Sequence, residues 1–478
     1  MISPVLAKSP RGKAISKCNA EKWLFPLGRY NGGIALEKKK TVRISQCMIV
    51  KNEESSIEKA LSWGKEIMWE QIVVDTGSTD RTAELAAGLG ASVYHFPWTD
   101  DFAAAKNFAA GKAQGDWIAF LDADEILAPG DEQKLLPILS QLEETEAESV
   151  TAAWLQLDDE GKVTAGGTQI RIFKNRAGLG YRRRIHEQLV RLDGTPLRVA
   201  DGTRELSILH SGYSRNARKK KDTNRNLKLI QKELEEHSDD YEMLGYLGDE
   251  YYAAGDLAGA EDSYRESITH MPAVLDERDQ RSAATFLYLL QIMEQNHCSR
   301  DQMQAVHAKA VSLLPKEADF DYLMGMTLSG QRDYAGGAAC LEKALFKLER
   351  YGSYNRAMLL LAHLRETYET LARCFLETGE HERAVKSSIA VLQSEPYSMQ
   401  ALVLLLRGFH ESVNHSAVTA GDAVEFLKKL YDLVSLKDRL FLLKASVGAE
   451  WRELESLIER LFTPEELAHI RSVWREER

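Results

Sequence analysis

Apolar and polar positions repeat with different periods in the two halves of the chain. Up to about residue 225, short apolar runs typical of strands alternate with segments whose apolar spacing is typical of helices. The pattern predicts, in chain order, a strand from Ile44 to Val50, a helix that is capped by Ser55 or Ser56 and runs to Trp63, a strand from Gln71 to Val74, a helix over 83–86 and a strand from Ser92 to Phe96. Strands and helices that alternate at such intervals indicate a parallel sheet with right-handed crossovers.

Three carboxylates follow the strongest strand signal of this half. The apolar run that begins at Trp117 breaks into Asp122, Asp124 and Glu125 within four residues. Because side chains alternate along a strand, Asp122 and Asp124 are expected to project to one side, where they can bind one divalent cation. Asp75 directly follows the predicted strand from Gln71 to Val74, and ligands of open sheets bind beyond the carboxyl ends of strands. Two acidic strand ends over one crevice indicate a nucleotide and a metal.

Strand signals nearly vanish after residue 225, and segments rich in Leu, Ala, Glu, Lys and Tyr predict helices. Six positions recur 124 residues further along the chain. The pairs are Leu247 and Leu371, Gly248 and Ala372, Tyr251 and Phe375, Ala260 and Ala384, Tyr264 and Ser388, and Pro272 and Pro396. A weaker copy runs through Gly325, Leu328, Gly337, Leu341 and Ala344. The internal offsets are those of a tetratricopeptide unit of about 34 residues.

Stacked helix pairs of this kind have two interpretations. In the first they are a scaffold whose Leu and Tyr positions form a core. In the second their concave surface also binds an extended peptide or a partner protein. The repeat pattern alone leaves both open.

Size and charge limit the classes of function. A chain of 478 residues exceeds what one hydrophobic core usually supports, so two or more domains are expected. The net charge of -11 argues against a general nucleic-acid binder. Two basic runs, 182–184 and 215–221, lack interleaved aromatic residues, so they are interpreted as a solvated face or as a positive rim that attracts a nucleotide sugar or an acidic acceptor.

The predicted organisation has three parts and no membrane span. Residues 1–40 lack periodicity and are expected to form an irregular extension, followed by an α/β domain over 41–225 and a helical repeat domain over 226–478. No run reaches the roughly 20 apolar residues of a transmembrane helix. The five cysteines are scattered without a C-x-x-C pair, which favours a reducing, cytoplasmic compartment.

Four motifs of the first half resemble, in order, the signatures of family-2 glycosyltransferases with a GT-A fold. They are 48–54 (MIVKNEE), 74–80 (VDTGSTD), 101–107 (DFAAAKN) and 120–125 (FLDADE). The resemblance covers about residues 41 to 215. The attached tetratricopeptide repeats narrow it to a bacterial subgroup that includes the sublancin-type peptide S-glycosyltransferases, which put sugars on cysteine or serine. The expected fold is therefore a GT-A domain, Rossmann-like with a mainly parallel sheet, followed by an all-α repeat domain.

The resemblance also implies roles for individual residues on the donor side. It implies nucleotide-sugar contacts for Val50, Asn52, Glu53, Asp75, Lys106, Asp122 and Arg171. Asp124 is implied as the direct ligand of Mn2+ or Mg2+, with Asp122 and His210 as further ligands. Lys106 stands where the family usually has arginine, so the charge is kept and the bidentate fork is lost. The alternatives are a turn-forming role for Asp75, a packing role for His210 and a surface role for Arg171.

Further motifs are similar to acceptor-side signatures of the subgroup. They are 169–175, 185–187 and 209–213. Inverting transfer needs a base that takes the acceptor proton, and Glu187 is the first choice and His186 the second. A cysteine acceptor would need less base catalysis, because a thiol is partly ionised near neutral pH. His186 can alternatively be a packing residue.

The predicted function is metal-dependent, inverting transfer of a sugar from a nucleotide sugar, expected to be a UDP-hexose. The acceptor is expected to be a peptide or protein side chain, and the repeats are expected to bind a protein partner. One alternative is a glycan- or lipid-directed glycosyltransferase of cell-surface polysaccharide synthesis. Another is a non-catalytic repeat adaptor with a nucleotide-sugar-binding domain, although its acids would be expected to be lost. A nucleotidyltransferase is disfavoured because 51–54 is not a glycine- and arginine-rich loop.

Overall fold

The chain divides into two compact units, residues 1–238 and 239–478. The computed structural model describes residues 42–211, 224–277, 279–352, 357–412 and 418–476. The predicted extension 1–40, the end of the motif 209–213 and the basic run 215–221 lie outside these residues. The sequence predicts a division after residue 225, whereas the first unit also contains the helix Arg225–Glu236.

A mixed sheet organises the first unit. The strands are β1 (Ile44–Val50), β2 (Glu70–Asp75), β3 (Ser92–His95), β4 (Trp117–Phe120), β5 (Glu125–Leu127), β6 (Ser149–Leu157), β7 (Val163–Lys174), β8 (Leu179–Arg182), β9 (Gln188–Arg191), β10 (Val199–Asp201) and β11 (Ser207–His210). The main sheet has the order β3-β2-β1-β4-β7-β6-β11-β5, with β10 beside β6. Its first four strands are parallel, as predicted, and β7 runs antiparallel to both β4 and β6.

Helices cover both faces of this sheet. The described helices of the first unit are α1 (Ile57–Ser62), α2 (Thr82–Gly88), α3 (Phe102–Ala110), α4 (Glu132–Leu142) and α5 (Arg225–Glu236), of which the first four contribute residues to the cores on the sheet. Alternation along β4 explains the two layers, because Trp117 packs in the core that includes α4 residues, whereas Phe120 packs in the core that includes α3 residues. The predicted α1 and α2 are confirmed. Asp101 caps α3 by accepting a hydrogen bond from the Ala104 amide.

The prediction that Asp122 and Asp124 project from a strand is wrong. Strand β4 ends at Phe120, and the chain turns through 121–124, where the Glu125 amide donates to the Asp122 carbonyl at 2.9 Å. The two carboxylates therefore leave a turn, and strand alternation does not set their directions. The apolar run predicted the strand but not the residue at which it ends.

Strand β7 contains a bulge beside this turn. Ile172 pairs with Val150 and Ile170 with Thr151, so Arg171 is the extra residue of β7. A bulge twists its strand locally and changes the direction of a side chain. Here the redirected side chain is that of Arg171.

The second unit is helical in all of its described elements. They are α6 (Tyr241–Ala254), α7 (Leu257–His270), α8 (Gln280–Gln295), α9 (Arg300–Leu313), α10 (Asp319–Gly330), α11 (Tyr334–Tyr351), α12 (Met358–Ala362), α13 (Leu364–Glu377), α14 (His381–Ser394), α15 (Met399–Glu411), α16 (Ala420–Leu427), α17 (Leu436–Gly448), α18 (Arg452–Glu459) and α19 (Pro464–Glu476). None of the helices in the described part combines the length and the apolar character needed to cross a membrane.

The recurring residues lie where paired helices touch. Gly248 of α6 lies directly against the ring of Tyr264 in α7, and Gly325 of α10 lies against Leu341 in α11. In the copy 124 positions later, Ala372 of α13 is fully buried in the same core cluster as Ala384 of α14. Small residues at these contacts let the helices approach closely, which confirms the predicted tetratricopeptide-like architecture.

Candidate active site

A cavity of about 490 Å³ opens beyond the carboxyl ends of β1 and β4, within the first unit. It brings together most of the predicted site residues. Those that line it are Val50, Glu53, Lys106, Asp122, Asp124, Arg171, His186, Glu187 and His210. Asn52 and Asp75 do not line it. The position agrees with the rule that open sheets bind ligands at the carboxyl ends of their strands.

Arg171 holds the acidic turn. Its Nη2 lies 3.0 Å from Asp122, and its Nε and Nη2 each donate to Glu125 at 2.8 Å. Glu125 is fully buried and also accepts a hydrogen bond from the Trp154 indole at 2.9 Å. The surface interpretation of Arg171 is therefore wrong. Its charge is matched by the two carboxylates that it positions.

Lys106 connects the acidic turn to the predicted acceptor side. Its Nζ lies 2.6 Å from Glu187 and 3.3 Å from Asp122, and it is 5.2 Å from the ring centre of Phe120. Burial alone would lower the pKa of Lys106, but Asp122 and Glu187 raise it above its ordinary value. The lysine is therefore a buried cation shared by two acids.

The same charges keep Asp122 ionised. Burial would raise the pKa of Asp122, but Lys106 and Arg171 together lower it to about 2. The carboxylate is an anion throughout the neutral range, and both of its oxygens already contact cationic groups. A bound ligand would have to compete with these contacts for the same oxygens.

The loop 183–187 carries His186 and Glu187 in a constrained backbone. His186 has a φ of 53° and Arg183 a φ of 75°, values that non-glycine residues rarely adopt. The Arg184 amide donates to Glu233 of α5 at 2.8 Å, and the Arg184 carbonyl accepts from the Phe102 amide at 2.9 Å. The loop is therefore fixed between α5 and the first residue of the helix that carries Lys106.

Asp124 and His210 form the closest match to the predicted metal site. The Asp124 carboxylate lies 3.4 Å from His210 Nε2, and the imidazole packs on Trp154 with ring centres 4.6 Å apart. No group of three or more His, Cys, Asp or Glu side chains that could hold a metal occurs among the described residues. Asp122 contacts Lys106 and Arg171, so a metal ion shared by Asp122, Asp124 and His210 stays a prediction.

The remaining pair is chemically suited to a metal that also binds its substrate. Mg2+ is usually held by one or two carboxylates together with substrate phosphates, and imidazole serves as a ligand of several divalent metals. Asp124 and His210 supply one oxygen and one nitrogen on the same wall of the cavity. A diphosphate would supply the further oxygens.

The predicted nucleotide contacts Asp75 and Asn52 stabilise loops beside the cavity. The Asp75 carboxylate accepts from the Ser78 amide at 3.1 Å and from the Gly77 amide at 3.3 Å. Asn52 accepts from the Thr79 amide at 2.8 Å, so it joins the loop after β1 to the loop after β2. The turn-forming alternative for Asp75 matches these contacts. A nucleotide contact for Asp75 or Asn52 stays a prediction.

Sequence reasoning missed three residues that organise the cavity. Glu125 stands in the acidic motif but was given no role, although its burial against Arg171 fixes the turn. Trp154 and Glu233 lie far along the chain from the residues they hold, and neither belongs to a recognised motif. The acidic motif was the one signal that could have identified Glu125.

Comparisons with known proteins agree with this architecture. Residues 45–203 match the model of the family described as Glycosyl transferase family 2. A TPR repeat-containing protein of Synechococcus elongatus is 32% identical over 226 residues, which cover 46% of this chain and 55% of that protein. The SPbeta prophage-derived glycosyltransferase SunS of Bacillus subtilis strain 168 is 26% identical over 266 residues, which cover 55% of this chain and 61% of SunS.

One solved structure is similar to part of this chain. Glucosyl-3-phosphoglycerate synthase from Mycobacterium tuberculosis, solved with Mn2+ and UDP, aligns with 24% of this chain and 44% of its own at 25% identity. The TM-score is 0.21, too low to support a conclusion about this chain. The chain spans just over half the length of the two curated relatives. The family match and the fold of the first unit together establish that residues 45–203 of this chain are a family 2 glycosyltransferase domain.

Proposed function

We propose that this protein transfers a sugar from a nucleotide sugar to a peptide or protein side chain, and that the reaction takes place in the cavity. The transfer inverts the configuration of the anomeric carbon and uses a divalent cation. The observation that carries the proposal is that one cavity joins the acidic turn 122–125 to the loop 183–187 within the family match. Lys106 contacts both sides at once. A UDP-hexose is the expected donor.

The donor would bind with its diphosphate beside Asp124 and His210. A cation held by these two residues would stabilise the negative charge that develops on the departing nucleoside diphosphate. Arg171 and Glu125 keep the turn in place, since both are anchored by paired hydrogen bonds. The charge of Lys106 lies next to the same turn and adds to the positive potential there.

The acceptor would enter from the side of Glu187. Its oxygen or sulfur forms the new bond to the anomeric carbon, the bond from that carbon to the phosphate oxygen breaks, and the electron pair leaves with the nucleoside diphosphate. Glu187 takes the proton of the acceptor hydroxyl, and Lys106 orients the carboxylate through the 2.6 Å contact. For a thiol acceptor the same carboxylate mainly orients the nucleophile.

The proposal is tested by donor turnover. Full-length protein is incubated with a panel of nucleotide sugars and Mn2+ or Mg2+, and release of the nucleoside diphosphate is measured with and without peptide and glycan acceptors. Asp124→Asn is expected to lower metal-dependent turnover at least a hundredfold, because the oxygen charge that binds the cation is lost. Asp193→Asn is the matched control, since Asp193 is half-exposed, pairs with Arg191 and does not line the cavity.

Two outcomes would contradict the proposal. Unchanged turnover in Asp124→Asn would refute the metal assignment. Absence of turnover by the wild-type protein with every donor would favour the alternative of a non-catalytic adaptor. Sugar transfer to a glycan but to none of the peptides would keep the enzymatic proposal and replace the acceptor.

A further inference from the structure

The outer edge of β7 next to the cavity has no partner strand among the residues that the structure describes. Strand β7 pairs with β6 along most of its length but with β4 only over Ile172–Lys174. Within the described part of the chain, no other strand pairs with the edge over 163–170, and residues Val163–Gln169 are exposed. Because backbone groups in an antiparallel strand alternate between its two sides, every second residue here directs its N–H and C=O away from β6.

The sequence of this edge lacks the usual protection against pairing. Natural edge strands carry lysine or proline, or are covered, because an open edge attracts another chain. The stretch Val163–Ile170 (VTAGGTQI) contains neither a charged residue nor a proline. An uncharged edge of this length is a template for strand addition.

Two glycines in the middle of the edge, Gly166 and Gly167, are required by no contact with the described residues. Neither Gly166 nor Gly167 has a left-handed φ, and a Cβ on Gly167 would meet no atom within 4 Å. A Cβ on Gly166 would meet Leu155 at 3.6 Å, which is ordinary contact. Glycine weakens a strand interior and often marks the close approach of a ligand or another backbone. The pair is therefore consistent with a partner outside the described residues.

The edge leads directly into the cavity. Gly167 lies opposite Trp154 in the β6–β7 pair, so the two positions share a face of the sheet. Trp154 and Gln169, which follows Gly167 by two residues, both line the cavity. A chain that extends along this edge would therefore pass the acceptor side of the site.

We propose that the outer edge of β7 binds the acceptor as an extended peptide that adds one strand to the sheet. This inference rests on the proposed glycosyl transfer and names the form in which the acceptor binds. Backbone hydrogen bonds hold the peptide, and its alternate side chains face the cavity, so that one Ser, Thr or Cys near Gln169 reaches Glu187. The turn 158–162 between β6 and β7 contains three acidic residues, Asp158, Asp159 and Glu160, and one lysine, Lys162. Its negative charge favours a basic residue at the end of the peptide that lies beside this turn.

The test uses synthetic nonapeptides with the full-length protein, donor and Mn2+. Each peptide begins with two lysines, continues with alternating threonine and valine, and carries one central Cys, one central Ser or, as a control, a central Ala. Sugar transfer is followed by mass spectrometry, and amide hydrogen exchange is followed over 163–170. The expected result is slower exchange at alternate amides with all three peptides and transfer to the Cys or Ser peptide.

A pair of proline variants, Ala165→Pro and Gly166→Pro, provides the matched comparison. Since neighbouring amides point to opposite sides, one proline removes an outward N–H and the other removes a bond to β6. The variant that keeps the wild-type melting temperature has lost the outward N–H. That variant is expected to lose peptide transfer at least tenfold while nucleoside diphosphate release without a peptide changes less than twofold.

Several results would overturn the edge proposal. They are peptide transfer without protection of 163–170, equal transfer in both proline variants, and donor turnover with neither binding nor glycosylation of any peptide. Protection that grows with protein concentration in the absence of peptide would assign the edge to a second copy of the chain instead. Failure of donor turnover itself would refute the glycosyltransferase proposal, and so the two failures are distinguishable.

Discussion

At the scale of single residues, the cavity is a set of shared charges. Lys106 contacts Asp122 and Glu187, and Arg171 contacts Asp122 and Glu125. Removing one partner of a buried pair leaves an uncompensated charge, which costs more than the pair contributes. The order of the site therefore depends on keeping both cations.

Lys106→Met is expected to destabilise the first unit by about 3 kcal/mol, because Asp122 and Glu187 lose the cation between them. The measurement is the local free energy of opening, from hydrogen exchange of the β4 amides. Adding Glu187→Gln to Lys106→Met should recover part of the loss, because Asp122 keeps Arg171 and the carboxylate of Glu187, which has lost its cation, is removed. Strictly additive effects of the two substitutions would show that the 2.6 Å contact has no energetic weight.

The pairing of these residues could not be predicted from sequence. The motifs identified Lys106, Asp122 and Glu187 singly, because each stands in its own signature. Their contact depends on α3 and the loop 183–187, which come together only in the folded unit. Asp124 and His210 were predicted as ligands of the same ion. Their 3.4 Å separation depends on the turn after β4, and the apolar pattern did not predict the residue at which β4 ends.

At the scale of elements, α5 holds the loop of the predicted base. Glu233 is buried and accepts a hydrogen bond from the Arg184 amide. The loop 183–187 contains two residues with a left-handed backbone, Arg183 and His186. Glu233→Ala is expected to lower sugar transfer about tenfold, since a misplaced reacting group costs one to two orders of magnitude. Glu233→Gln keeps an acceptor oxygen and should retain most of the activity. The measurement is kcat and KM for transfer, with the melting temperature recorded in parallel.

The control for this prediction lies on the same helix. Glu235 is exposed, so Glu235→Ala should leave kcat unchanged. If Glu233→Ala and Glu235→Ala had equal kcat values, the loop would not depend on α5. A fall in melting temperature without a fall in kcat would give Glu233 a purely structural role.

In the repeat unit, the element-scale prediction concerns helix contact. A Cβ on Gly248 would lie 2.4 Å from the ring of Tyr264, which cannot move away within the buried pair α6–α7. Gly248→Ala is therefore expected to destabilise the second unit by about 1–3 kcal/mol. Gly330→Ala is the matched control, because a Cβ there meets no atom within 4 Å and alanine favours the helix. Hydrogen exchange of the α6 and α10 amides measures the stability change that each substitution causes. Equal destabilisation by Gly248→Ala and Gly330→Ala would contradict the packing argument.

The small residues of the repeats were readable from sequence for a physical reason. Gly248, Gly325 and Ala372 each precede a partner position in the next helix, Tyr264, Leu341 and Ser388, by 16 residues, because the paired helices touch at the same turn in each unit. The helix Arg225–Glu236 has no such signature. Its helical composition placed it in the repeat domain, whereas its contacts through Glu233 belong to the first unit.

At the scale of the whole molecule, the described residues of the cavity all belong to the first unit. A ligand that binds there stabilises that unit by mass action, by about 2.7 kcal/mol at a concentration one hundred times its Kd. Nucleoside diphosphate with Mn2+ is therefore expected to slow exchange at 48–54, 121–125 and 183–187. The amides of 239–478 serve as an internal control, since the second unit contributes no described residue to the cavity.

The role of the metal separates this prediction from simple nucleotide binding. If Asp124 and His210 hold a cation that bridges to the diphosphate, adding EDTA should abolish most of the protection at 121–125, and Mn2+ should restore it. Asp124→Asn should have the same effect as EDTA, whereas Asp193→Asn should behave as wild type. Equal protection with and without Mn2+ would contradict the metal assignment. In that case Lys106 and Arg171 would carry the diphosphate charge despite their contacts with Asp122, because they are the cations closest to the acidic turn.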